Sequence, residues 1–165
     1  MKSMVKTDQV PVSIGIDEKA RARVSEILST LLADEHVLYI KTRNYHWNVQ
    51  GIHFQPLHAF FEEQYNTLEA QIDEIAERMR SLGFFAPGSM QAYLDRSRLQ
   101  ETDELAGAAQ KMLQHLLLDH EAVIQVLRNN VEETDEIGDT ATSDFLTGLM
   151  AAHEKMAWML RAHLA

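Results

Sequence analysis

Cysteine is absent from this 165-residue chain, proline occurs three times and glycine seven times. Without cysteine there is no disulfide, no thiolate metal site and no thiol nucleophile, so any metal must be held by His, Asp, Glu and water. With so few proline and glycine residues, periodic segments can run long, which favours helices over short strands joined by turns. Positive charge is also scarce. Lys and Arg number 15 against 25 Asp and Glu, a net charge of −10, whereas a surface that grips phosphates needs clustered cations. No apolar run approaches the roughly 20 residues of a membrane span. The opening "MKSMVKTDQVPVSIG" has no apolar signal-peptide core, so the expected location is cytoplasmic.

Two familiar metal motifs are missing as well. "HEAVI" at 120–124 and "HEKMA" at 153–157 both lack the second His of HExxH. No Glu has a His three residues later, so the usual Glu-x-x-His di-iron motif inside a helical bundle is absent.

What is present is helical periodicity. Residues 1–15 show none and read as a flexible tail, leaving 16–165 as one domain. Asp17 is placed to cap a first helix of about 17 to 49, and Gly51 to end it. Leu57, Phe61, Tyr65, Leu68, Ile72, Ile75, Met79 and Leu82 keep one apolar stripe until Gly83. "GFFAPGSMQAYLDRSRLQ" then breaks the pattern and reads as a long crossover with a short helix near 89–95. A third stripe (Leu105, Ala109, Met112, Leu116, Val123, Leu127) starts from Thr102 or Asp103 as cap and reaches about Glu136. A fourth (Phe145, Leu149, Ala152, Met156, Met159) continues to the end. The expected fold is all-α, a four-helix bundle of ferritin-like connectivity with the long crossover between helices two and three.

Chemistry concentrates on the second helix. His58, Glu62, Asp73 and Glu77 share a face about 120° away from the apolar stripe. His58 with Glu62, and Asp73 with Glu77, are i, i+4 pairs, but Glu62 and Asp73 lie roughly 16 Å apart along the axis. One ion cannot span that distance. The spacing is mirrored about residues 67 and 68, however, so an antiparallel copy of the helix sets His58 and Glu62 of one subunit against Asp73 and Glu77 of another. His46, near the end of the first helix, can join the His58 half. Imidazole with several carboxylates suits Fe(II), Mn(II) or Zn(II), and the paired acids suit a harder ion. The competing reading is a set of solvated charges beside Arg78 and Arg80. His120 and His153 read as satisfied core histidines, and Met150, Met156 and Met159 as core filler. His36, His53, His115 and His163 receive no role.

These segments, "NYHWNVQG", "LHAFFEEQY", "DEIAERMRSLG", "GDTATSDFL" and "HEKMAWMLRAHL", closely resemble the Dps family, the DNA-binding proteins from starved cells or miniferritins. The family pattern maps onto His46, His58, Glu62, Asp73 and Glu77, with Glu at position 62 where many members carry Asp. The resemblance implies a hollow dodecamer whose two-fold interfaces hold ferroxidase centres, oxidation of Fe(II) preferably by hydrogen peroxide, and internal ferric mineral. It also implies a three-fold pore at the acidic run 131–144, with Asp135 and Asp139 as candidate pore acids. Tyr45 and Trp47, flanking His46, are candidates to intercept escaping oxidising equivalents. Members that compact DNA commonly use a Lys-rich tail. Here the first 15 residues hold only Lys2 and Lys6, so the expected DNA binding is weak or absent. Two other readings compete: a nucleoid-protecting DNA-binding shell with a secondary metal site, and a purely structural helical oligomer.

Overall fold

The computed structural model describes residues 10–102 and 109–165. Five helices follow in order: α1 (Glu18–Asn48), α2 (Phe54–Ser81), the short α3 (Met90–Leu94), α4 (Ala109–Glu136) and α5 (Thr140–Ala162). The four long ones form the bundle expected from the apolar stripes. The proposed caps at Thr102 or Asp103 meet a boundary: Thr102 is not helical, and Asp103 lies outside the described residues. No helix among the described residues is long and apolar enough to cross a membrane.

Helix ends follow local chemistry. Asp17 caps α1 by accepting from the Ala20 amide at 2.9 Å. Ser89 caps α3 by accepting from the Ala92 amide, and Asp139 caps α5 by accepting from the Thr142 amide at 3.0 Å. Gly138, with φ +86°, makes the tight turn between α4 and α5 that a residue with a Cβ would resist.

Cross-helix ties fix the directions. Arg23 pairs with Glu133 and Lys41 with Asp119, so α1 and α4 run antiparallel. Tyr39 meets Tyr65 and His46 meets His58, so α1 and α2 are antiparallel too. Helices α2 and α4 therefore run parallel, as the long crossover requires. That crossover is anchored mid-helix: Asp34, 1% exposed, takes the Arg98 guanidinium, the Arg98 amide at 2.6 Å and the Ser97 hydroxyl at 3.0 Å.

Two apolar clusters fill the interior. One gathers Leu28, Leu31, Ile75, Met79, Val123, Leu127 and Leu146. The other gathers Leu38, Tyr45, Phe61, Leu68, Leu116, Met156 and Leu160. Met156 is core filler, as its stripe position suggests. His120 and His153 are fully buried, as expected, yet they are not satisfied: each leaves Nε2 without a hydrogen-bond partner. Burial first, and then His153, hold the His120 pKa well below its ordinary value, so this imidazole is neutral.

Outside the core, two indoles face solvent. Trp47, on α1, is 62% exposed and Trp158, on α5, is 61% exposed.

Candidate functional site

The turn between α1 and α2 brings His46 and His58 together although they are twelve residues apart. Their rings stack at 3.7 Å between centroids, with 22° between planes. Nδ1 of His46 lies 2.8 Å from the His58 carbonyl oxygen, and Nδ1 of His58 lies 2.8 Å from the His46 carbonyl oxygen. A carbonyl only accepts, so both imidazoles carry their proton on Nδ1 and keep Nε2 as a lone pair. This is the tautomer control that metal-binding histidines use. His46 is buried and His58 half-buried.

Tyr65, one turn beyond Glu62 on α2, closes one side. Its ring stands edge-on to His46 at 5.2 Å, and its hydroxyl donates to Glu62 Oε1 at 3.4 Å. Desolvation and the adjacent Glu62 carboxylate raise the Tyr65 pKa above its usual value, so it stays protonated as a donor. Arg43 lies over the rings of Tyr39, Trp47 and Tyr65 at 5.1 to 5.5 Å.

Glu62, Asp73 and Glu77 are exposed on the outer face of α2, as the helical angles predict. The arginines that would neutralise them are engaged elsewhere. Arg78 donates Nη2 to Asp139 and Nε to Thr142 Oγ1, each at 2.8 Å. Arg80 bonds the Phe84 carbonyl and lies 4.3 Å over the Phe85 ring. Asp73 and Glu77 form no ion pair among the described residues. Like charges left unpaired on one helix face cost stability, so these acids stand where a cation is the natural complement.

The chain brings His46 and His58 together, with Glu62 one turn along, but it keeps Asp73 and Glu77 far along the helix. Among the described residues of one chain, no three His, Asp or Glu side chains converge on a metal position. Each chain thus presents these side chains as two separate groups, one at the α1–α2 turn and one further along α2.

The other candidates fall as follows. Tyr45 is inside the bundle with its hydroxyl 2.8 Å from His115 Nδ1. Asp139 is 1% exposed and is spent on Arg78 and on the α5 cap, so it cannot line an open pore; Asp135 and Asp144 are exposed. Sequence reasoning missed Tyr65 as a site residue, although its position three residues after Glu62 was a usable signal.

A family profile described as "Ferritin-like domain" matches residues 25–165. The chain is 43% identical over 154 residues to a low temperature-induced protein of Nostoc sp., covering 93% of this chain and 86% of that one. It is 39% identical over 142 residues to DNA protection during starvation protein 2 of Bacillus anthracis, covering 86% and 97%. The fold is similar to the crystal structure of a Dps protein from Vibrio cholerae O1, which is described as a member of a broad superfamily of ferritin-like diiron-carboxylate proteins. That likeness has a TM-score of 0.90 at 33% identity, covering 96% of this chain and 100% of the other.

Proposed function

Because the chain belongs to the Dps family of ferritin-like proteins, we propose that it is a cytoplasmic iron-oxidising and iron-storing miniferritin that protects against oxidative stress. In this reading residues 16–165 are the ferritin-like unit and residues 1–15 a tail. Twelve copies assemble into a hollow shell from two-fold dimers. Fe(II) is the substrate, bound by His46, His58 and Glu62 of one subunit and by Asp73 and Glu77 of a second.

One observation carries this reading: His46 and His58 hold each other in the Nδ1–H tautomer, so both Nε2 lone pairs remain for a cation. The mirrored spacing of the α2 acids supports it, because a two-fold axis near residues 67 and 68 completes both half-sites at once. The carboxylates, as hard oxygen donors, favour Fe(III) over Fe(II), which adds driving force to oxidation at the site. With hydrogen peroxide as preferred oxidant, two Fe(II) give two electrons, the O–O bond breaks, and two protons complete two waters. A two-electron step of this kind releases no hydroxyl radical.

Exposed Asp135 and Asp144, near the α4–α5 turn, are the acids that suit a cation entry path. Trp47, exposed beside His46, suits the interception of stray oxidising equivalents better than Tyr45, whose hydroxyl faces His115 in the interior. Direct DNA binding is a second reading, raised by the name of the Bacillus anthracis relative. The net charge of −10 per chain opposes it.

The test is anaerobic loading with Fe(II) followed by limiting hydrogen peroxide, comparing wild type with a His46→Ala, His58→Ala double variant. Fast ferric absorbance lost in an assembled variant is the expected result. Equal rates in both proteins would reduce the constellation to surface decoration. A salt-sensitive mobility shift of plasmid DNA at neutral pH would promote the second reading.

A further inference from the structure

The bundle interior is interrupted by a polar layer. On α1 one apolar cluster ends at Ala33 and the other resumes at Leu38; on α2 the gap runs from Leu68 to Ile75. On α4 it runs from Leu116 to Val123, and on α5 from Leu149 to Met156. Each gap holds a buried polar residue: Glu35, Gln71, His120 and His153, with exposures of 0%, 6%, 0% and 0%. The α1–α2 register that sets His46 against His58 puts Glu35 level with residue 69, about half a turn from Gln71.

Inside this layer the contacts are short but incomplete. His153 Nε2 and Glu35 Oε1 are 2.9 Å apart, yet they are misaligned for a hydrogen bond, so both atoms count as unpaired. The other ring nitrogen of His153 does pair: Nδ1 lies 3.0 Å from Nδ1 of His120. Glu35 Oε2 and Gln71 Oε1 are also buried without partners. Native interiors rarely leave such groups unanswered. A close, off-line N···O contact is how two ligands of one ion sit: with bonds of about 2.1 Å, adjacent ligands of an octahedral ion are about 3.0 Å apart.

We propose that this layer is an interior site for one divalent first-row transition-metal ion, held by His153 Nε2, the Glu35 carboxylate and the Gln71 amide oxygen. His120 is a positioning residue. Its Nδ1 accepts from His153 Nδ1–H and so leaves Nε2 as the ligand atom, the outer-shell role that a carboxylate or carbonyl commonly plays. The site needs no Glu-x-x-His motif, because its ligands come singly from α1, α2 and α5. It is also separate from the surface constellation: Glu35 precedes His46 by eleven residues, roughly 16 Å along α1.

The test uses the full chain carrying His46→Ala and His58→Ala, so that the surface half-site is disabled. The protein is produced in medium containing Co(II) and passed through gel filtration to remove loosely held ion. The expected result is about one retained Co(II) per chain with visible d–d absorption. Adding His153→Leu should abolish both signals while the assembly still elutes as before. Glu35→Gln keeps the side-chain shape and removes the charge, and should weaken Co(II) retention at least tenfold. It carries the same comparison if His153→Leu fails to assemble. A parent protein without Co(II), or retention that survives Glu35→Gln, overturns the proposal.

Discussion

His46 and His58 each place Nδ1 2.8 Å from the other's carbonyl oxygen, a reciprocal clasp between the end of α1 and the start of α2. Replacing His46 by Ala leaves the His58 carbonyl without its donor and removes the ring stacking. A loss of about 1–3 kcal/mol in unfolding free energy is expected even in iron-free protein, measured by urea denaturation. An unchanged midpoint would mean the clasp contributes nothing to the fold.

Lys41 and Asp119 form a buried ion pair at 2.5 Å. Desolvation raises the Asp119 pKa above its ordinary value despite the pull of Lys41. With the folded pKa above the unfolded one, the folded state binds more protons in the window between them. Stability therefore falls as pH rises through that window, and at neutral pH the charged carboxylate is a net cost. Asp119→Asn, a neutral mimic of the protonated acid, should therefore flatten this pH dependence and cause no loss of stability at pH 7, as read by thermal unfolding across the window. A melting point that keeps its slope with pH in the variant would assign the dependence to another group.

Asp139 serves two ends at once, accepting from the Thr142 amide and pairing with Arg78 of α2. Asp139→Ala should cost about 3 kcal/mol or more, since it removes a cap and leaves a half-buried guanidinium without its anion. Calorimetry with an assembly check would separate this from a transport effect. Neutralising exposed Asp135 and Asp144 instead should leave stability within about 0.5 kcal/mol and slow Fe(II) uptake. An unchanged uptake rate would remove these acids from the entry path.

Gly83 ends α2 with φ +91°, and a Cβ there would sit 2.8 Å from Val12 Cγ2 and 3.1 Å from Arg21 Nη1. Gly83→Ala combines backbone strain with a clash, so a loss of about 1–3 kcal/mol is expected. The Arg21 guanidinium, which bonds the Leu82 carbonyl at 2.7 Å, should be displaced with it. Gly51→Ala, with nothing near its Cβ position, isolates the strain alone and should cost less in the same melt.

The amphipathic stripes made α2, α4 and α5 legible, and the angular positions of Glu62, Asp73 and Glu77 followed from the same 3.6-residue period. The histidine clasp was only half legible. Spacing put His46 near His58, but the Nδ1-to-carbonyl contacts depend on the turn geometry. Helix α1 was bounded to within a residue by its cap and its end signal, but its buried face was not legible, for a physical reason. It is covered on several sides and buries Arg21, Asp34, Glu35, Lys41 and Thr42, so polarity no longer marks its outer face. The groups that compensate those charges lie far away in sequence, Arg98 for Asp34 and Asp119 for Lys41. The polar layer was hidden similarly. His120 and His153 each looked like an isolated core residue, and nothing in "LADEHVLYI" marked Glu35 as the acid that meets His153.

The two exposed indoles carry a consequence of their own. Trp47 and Trp158 sit on α1 and α5 and are the only tryptophans in the chain, so each is a native fluorophore for a different surface. In the isolated subunit both emit as solvated indoles. A contact that covers one surface draws one indole out of water and shifts its emission to shorter wavelength. Trp47→Phe and Trp158→Phe then turn a single emission scan into a readout of which surface has been covered, with no label attached.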